Sequence, residues 1–307
     1  MRADGDREPP EAPAAIPSRR RALVLFALSS VCFGLMAFVA KLATATLGGG
    51  QVALLRFGMM LVPFAVAPSL ARRAMRYERL DLLFYRGFFG GTAVLLYFLA
   101  IAHLPVAIAT LLNYSSPIFS VLFARAFLGE PMPVRKVVPL VAALAGLALV
   151  MGERVGPGEW SRSGRWTAVG LLSAVLSGAA VTAIRAARRT ESSWAVYGSF
   201  SLLGLVATAP VGIWEWRTPS AVAVGWIVLV GASSIAAQLL MTYAFRWVDN
   251  LQAGVFAPLA PLIAAALGVV LLGERLTPVE LAGGALALGG VAATVVAGHG
   301  APAPESE

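Results

Sequence analysis

The chain has 307 residues, 58% of them hydrophobic and 13% charged, with a mean hydropathy of +0.78. A soluble globular chain is about 45–50% apolar and about 25% charged, so a soluble enzyme is excluded, and apolar runs along nearly the whole length exclude a single-pass anchor. The net charge of +8 does not point to nucleic acid: the basic residues fall in short clusters between apolar runs, the arrangement that orients membrane proteins. Residues 1–21, polar and Pro-rich and ending in Arg19-Arg20-Arg21, read as a disordered tail. Ala22–Ala40 is then uncharged. It is longer than the ~7–15 apolar residues of a secretory signal, and is expected to be a retained first membrane helix, with the single cysteine, Cys32, packed inside it.

A helix needs about 20 apolar residues to cross about 30 Å of hydrocarbon. Ten candidates follow one another, at 22–40, 51–69, 82–102, 105–126, 137–152, 166–184, 193–214, 222–245, 250–272 and 279–297. They are continuously apolar, unlike the alternating ~10-residue segments of barrel strands. The fold class expected is therefore an all-α integral membrane protein with ten transmembrane helices, a linker at 153–165 and a second polar tail at 298–307.

Several spans carry polar residues. Arg56 in the second span, Arg86 in the third and Arg125 in the fourth lie near span ends and are expected to snorkel to the surface; an anionic substrate group is the alternative for Arg56. In the third span Gly90, Ala93 or Val94, and Tyr97 share one helical face. The fourth span is interrupted at Asn113-Tyr114-Ser115-Ser116-Pro117 and the ninth at Pro258-Leu259-Ala260-Pro261. Proline removes a backbone donor and clashes with the preceding turn. Freed carbonyls at mid-membrane depth are tolerated only against protein or a watery cavity. The helix breaks at Pro117, Pro258 and Pro261 thus predict a binding site, with packed kinks as the alternative. Asn113 and Tyr114, about 12 Å into their span at ~1.5 Å per residue, can hydrogen-bond a polar solute or a neighbouring helix. Ser115 and Ser116 are expected to bond back to their own helix. In the eighth span Gln238 and Thr242, four apart, share a face, with Tyr243 adjacent; Trp247 reads as an interfacial anchor.

With the N-terminus placed in the cytoplasm, fifteen Lys and Arg residues fall inside (Arg72, Arg73, Arg76 and Arg79, and Arg185, Arg188 and Arg189 among them) against six outside. The positive-inside rule then predicts N-in, C-in. A shift of 144 residues superposes Leu128-Gly129-Glu130 on Leu272-Gly273-Glu274, Pro117 on Pro261, Gly146 on Gly290, Ser29 on Ser173, Gly34 on Gly178 and Lys41 on Arg185. Each half holds five spans. Five is odd, so equivalent helices must cross in opposite directions, and the expectation is two inverted five-helix repeats at 22–152 and 166–297. That design is recurrent in secondary transporters, whose site lies near the midplane between the halves.

Tyr85-Arg86-Gly87-Phe88-Phe89-Gly90-Gly91, the run Tyr97–Ala107, Ser116-Pro117 and Leu128-Gly129-Glu130, echoed by Tyr243-Ala244-Phe245, Pro261 and Leu272-Gly273-Glu274-Arg275-Leu276, resemble the EamA family of the drug/metabolite transporter superfamily. The resemblance covers about residues 22–297. It implies ten helices, cytoplasmic termini, a bacterial inner-membrane location and export of small metabolites, amino acids or related compounds. It also places the first and sixth helices beside the pathway, which adds Phe33, Ser29, Ser30, Ser173 and Ser177 to the candidates. The substrate-binding set expected is then Asn113, Tyr114, Tyr97, Gln238, Thr242, Tyr243 and Phe33.

No Asp or Glu lies mid-span, and proton relays commonly use an intramembrane Asp, Glu or His. His103 sits at a turn near the outer surface. A facilitator or exchanger is therefore expected, rather than a carboxylate-dependent proton antiporter. Nucleophile–base pairs and zinc-ligand sets are missing from the sequence, so no enzyme, metal or cofactor is expected. A channel or non-transporting subunit is the competing reading, although the rings of charge that line ion pores are missing. Glu130 and Glu274 are expected to order the turns into the following helices. Small-residue pairs Ala142 with Gly146 and Ala285 with Gly289 suit close helix contact, within the monomer or in a homodimer.

Overall fold

A computed structural model describes residues 19–103, 112–152, 164–272 and 277–297. Regular structure among these residues is wholly helical. The helices are α1 (Arg19–Thr44), α2 (Gly49–Met60), α3 (Val62–Val66), α4 (Pro68–Ala74), α5 (Leu80–His103), α6 (Ser116–Leu128), α7 (Val134–Gly152), α8 (Gly164–Ala187), α9 (Ser193–Trp214), α10 (Ala221–Ala244), α11 (Asn250–Phe256), α12 (Leu259–Leu272) and α13 (Pro278–Ala297).

Among the described residues, six stretches are long and apolar enough to cross a membrane: Arg21–Thr44, Gly49–Val66, Leu80–Ala100, Gly164–Ala187, Ser193–Trp214 and Ala221–Ala244. Ser116–Leu128, Val137–Leu149, Asn250–Ile263 and Leu281–Gly290 are shorter apolar helices. The boundaries differ from expectation at several points. Helix α1 starts at Arg19, three residues ahead of the first apolar run, and α8 starts at Gly164, inside the stretch expected as linker. The second span, expected as one run at 51–69, turns at Leu61, ahead of Pro63. Residues 1–18 and 298–307, expected as tails, lie outside the described residues, as does the start of the fourth span.

Helix ends are closed by local chemistry. The Ser192 and Ser220 hydroxyls accept the backbone N–H groups of Ala195 and Ala223 at the N-termini of α9 and α10. Asp249 and Gln252 form a capping box at the start of α11. Gly129, with φ of 66°, ends α6 in the left-handed conformation that glycine adopts without a Cβ penalty. The two proline-containing interruptions are present as turns, at Tyr114–Ser115 just before α6 and at Ala257–Pro258 between α11 and α12.

The tertiary contacts recur at a separation of 144 residues, with the halves exchanged. Ser29 Oγ in α1 donates to the Ala237 carbonyl of α10, and Ser173 Oγ in α8 donates to the Ala93 carbonyl of α5, both at 2.8 Å. Gly34 abuts Ile263, and Gly178 abuts Phe119. Gly146 in α7 lies against Gly283 and Ala287 of α13, while Gly290 in α13 lies against Pro139 and Ala143 of α7. A side chain at either Gly146 or Gly290 would strike the opposing backbone, so these glycines permit the close α7–α13 approach. The contact is therefore made by Gly146 and Gly290; Gly289 meets nothing within 4 Å and Ala285 is exposed.

The apolar core has two main bodies. One gathers Ala22, Phe26, Leu83, Phe245, Leu251 and Phe256; the other gathers Met36, Phe38, Val52, Tyr97, Phe98 and Ile227. Loops group by end. At one end Glu130, Arg185, Arg188, Glu191, Arg79 and the Phe245–Arg246 turn meet. At the other, Gly50 and Gln51 meet Glu215 and Arg217, and His103 stacks on Trp166 with ring centroids 3.6 Å apart.

Candidate functional site

Between the two core bodies lies a cavity of about 200 Å³. Residues from both cores line it: Phe26 and Phe245 on one side, Met36, Tyr97 and Phe98 on the other. Helices α1, α5, α8 and α10 contribute one stripe each, and the two interrupted helices contribute Tyr114, Ser116 and Pro117 on one side and Ala253, Gly254 and Ala257 on the other. The interruptions meet there: a Cβ on Gly254 would lie 2.9 Å from the Pro117 Cβ.

Five of the seven sequence-derived candidates line this cavity: Asn113, Tyr114, Tyr97, Gln238 and Phe33. Asn113 Oδ1 shares the Ser173 hydroxyl proton with the Ala93 carbonyl, at 3.2 Å from Ser173 Oγ, which ties the broken fourth span to α8. Thr242 and Tyr243 are not among the lining residues. Thr242 is buried, and its carbonyl accepts from Arg188 Nε at 3.1 Å. Tyr243, 37% exposed, packs on Trp247 instead. On a 3.6-residue helix, 238 and 242 share a face but 243 is a further 100° round it. Of the helix-break prolines, Pro117 lines the cavity; Pro258 and Pro261 are buried beside it without appearing in its lining. Ser115 Oγ bonds back to the Leu112 carbonyl, whereas Ser116 faces the cavity.

The arginines overturn the snorkelling expectation. Arg125 is exposed at the end of α6, but Arg86 is 4% and Arg56 2% exposed, and both line the cavity. Arg86 Nη2 donates to Gln238 Oε1 at 3.0 Å, and its guanidinium carbon sits 3.8 Å from the centroid of Phe200. Arg56 Nε donates to Ser234 Oγ at 2.8 Å, with its guanidinium carbon 5.8 Å from the same ring. Ser234 and Gln238 are four apart on α10, so one helix face receives both cations. The sequence held the signal for Arg86: it lies four residues before Gly90, on the stripe Gly90–Val94–Tyr97 already singled out. What hid it was its distance from the span end, since side-chain direction is set by the neighbours. A Cβ at Gly87 would meet the Ser199 carbonyl of α9 at 2.5 Å, and one at Gly91 would meet the Gly204 Cα at 2.6 Å. These contacts press α5 on α9 and turn Arg86 inward.

The acidic groups work at the ends. Glu130 Oε1 accepts from Arg185 Nε at 2.9 Å, and its other oxygen accepts the Asn250 N–H at 3.3 Å. It thus serves the N-terminus of α11, across the molecule, and not the turn into α7 as expected. Glu274 lies outside the described residues. Glu191 Oε1 accepts the backbone N–H groups of Glu78 and Arg79 ahead of α5. Burial, together with neighbouring Arg246, pushes the Arg188 guanidinium down to about 10, so it remains charged at neutral pH. No cluster of three or more His, Cys, Asp or Glu residues able to hold a metal occurs among the described residues.

The description of the EamA-like transporter family matches the chain twice, over residues 20–152 and 164–296, the same 144-residue offset that relates the contacts. The chain belongs to the EamA-like transporter family. It is thus a multi-pass membrane protein of a small-molecule transporter family. Relatives include the pseudopaline exporter CntI of Pseudomonas aeruginosa, 28% identical over 73% of this chain and 78% of that one. The threonine/homoserine exporter RhtA of Escherichia coli is 28% identical over 88% of each chain. A solved crystal structure superposes with a TM-score of 0.75 at 22% identity, covering 91% of this chain and 98% of its own, and shows the same fold.

Proposed function

We propose that the protein exports small organic metabolites, amino acids or related compounds, across the bacterial inner membrane by alternating access. In this reading it is a ten-helix carrier of two inverted five-helix repeats, N-in and C-in. The observation that carries the reading is the central cavity, bounded by both family-matched halves and by both interrupted helices. Interrupted helices meeting at mid-depth supply backbone groups to a solute without exposing them to lipid. The reciprocal contacts of Ser29 with Ala237 and Ser173 with Ala93 support a two-fold relation between the halves, and five spans per half make that relation an inversion. Such a molecule has two related conformations, and rocking between them exposes one site to each side in turn. Asn113, Tyr114, Tyr97, Gln238 and Phe33 contact the solute; Thr242 and Tyr243 act through Arg188 and the end of α10. The described lining residues include no carboxylate, which supports exchange or facilitation over carboxylate-dependent proton antiport.

Counterflow in proteoliposomes without a pH gradient tests this. Labelled solute of one chemical class should accumulate transiently against unlabelled solute inside. Failure of a pooled amino-acid and metabolite panel, in vesicles where a known carrier works, would overturn the reading. Flux that tracks an imposed pH gradient at clamped membrane potential would overturn the uncoupled mechanism alone.

A further inference from the structure

We infer that Arg86, with Arg56 beside it, is the receptor for a free carboxylate on the transported solute; this rests on the carrier reading above. Among the described residues, four arginines with internal hydrogen bonds fall into two kinds. Arg185 and Arg188 each donate to two or more carboxylate or carbonyl oxygens. Arg185 donates to Glu130 and to the carbonyls of Phe245 and Arg246, and Arg188 to the carbonyls of Thr242 and Glu191. Arg56 and Arg86 are more deeply buried than Arg185, yet each has one neutral side-chain acceptor, and Arg56 Nη1 and Arg86 Nε are buried with no acceptor among the described residues.

Two cations over one Phe200 ring, in a cavity with no acid among the described lining residues, leave a positive potential in a medium of low dielectric. A buried cation without a counter-charge is costly, and cation–π contact offsets only part of that cost. An anion arriving in the cavity supplies the missing charge. Its geometry is constrained by Arg86, whose Nε and Nη2 form one edge of the guanidinium fork. Gln238 occupies Nη2 with a single amide oxygen and leaves Nε unfilled. A carboxylate has two oxygens at the spacing of that edge and can satisfy both donors once the side chains that cover Nε move aside. It would compete with Gln238, loosening a hydrogen bond that joins α5 to α10 and hence the first family-matched half to the second. Solutes with a carboxamide in place of the carboxylate lack both the charge and the second acceptor oxygen.

The test is counterflow with matched pairs: L-threonine, L-leucine and L-glutamine against L-threoninamide, L-leucinamide and L-glutamine α-amide. Each amide keeps the ammonium and side chain and loses only the α-carboxylate. In the wild-type protein the acids should exchange about tenfold to a hundredfold faster than their amides, the range of one charge-assisted hydrogen bond. Arg86→Gln should lose that preference, and Arg86→Lys should retain part of it, since it keeps the charge without the fork. Equal exchange of acids and amides by the wild type would overturn the carboxylate assignment while leaving the carrier reading intact. An Arg86→Gln protein that keeps the acid preference would do the same. Absence of exchange for all six solutes, with a control carrier active, would overturn the carrier reading and this assignment with it. The wild-type comparison needs no variant, so misfolding of Arg86→Gln does not blunt it.

Discussion

Gly90 shows how finely the cavity depends on single atoms. A Cβ there would collide with Arg86 Nη1 and lie 2.9 Å from the Phe200 ring, so the absent side chain is what lets the guanidinium rest on that face. Gly90→Ala should displace Arg86 and reduce counterflow about tenfold, equivalent to ~1.4 kcal/mol, while the protein still folds. Gly58→Ala is the control: nothing lies within 4 Å of its Cβ position, and replacing a helical glycine there should raise stability by about 0.5–1 kcal/mol. Thermal unfolding in detergent, measured beside flux, separates the two effects. Unchanged flux in Gly90→Ala would mean that Arg86 tolerates displacement.

Among the elements, α11 is a short helix that cannot stand alone. Its seven residues are all buried, yet a helix this short has no intrinsic stability. It persists because Asp249 and Gln252 close its first turn, Glu130 accepts the Asn250 N–H, and Asn250 Nδ2 donates to the Ser120 carbonyl and to Thr182 Oγ1. Asp249→Ala should therefore cost about 1 kcal/mol and lower the melting temperature in detergent, while Asp249→Asn, which keeps a capping oxygen, should cost less. Equal losses would show that charge, not the cap, is what Asp249 supplies.

Across the whole molecule, the Glu130–Arg185 pair spans the two family-matched halves at one end. Its side chains are 13% and 20% exposed, enough shelter to matter and enough water to let the pair break. A rocking carrier must release such a contact to open that end. Glu130→Gln should increase thiol labelling of a cysteine placed at Ser120, in a Cys32→Ala background, from the Glu130 side. Arg185→Gln should do the same, and the double variant should add little, with a coupling of about 0.5–3 kcal/mol for neighbours in one network. Additive effects would mean that the pair does not act as a latch.

The apolar runs, the proline interruptions and the 144-residue repeat were legible in the sequence because each is a local or periodic property. Hydrocarbon thickness sets span length, proline chemistry sets where a helix cannot continue, and self-similarity needs no partner to be seen. The stripe through Gly90, Val94 and Tyr97 was legible for the same reason. The inward turn of Arg86 and Arg56 was not, because a long side chain near a span end can reach water or the interior. That choice is made by Phe200, Ser234 and Gln238, residues more than a hundred positions away. The task of Glu130 was hidden likewise, since its partners Arg185 and Asn250 lie in the other half. Sequence alone determined a membrane transporter's frame; tertiary packing decided which charges it encloses, because burial of a charge depends on neighbours brought together only by the fold.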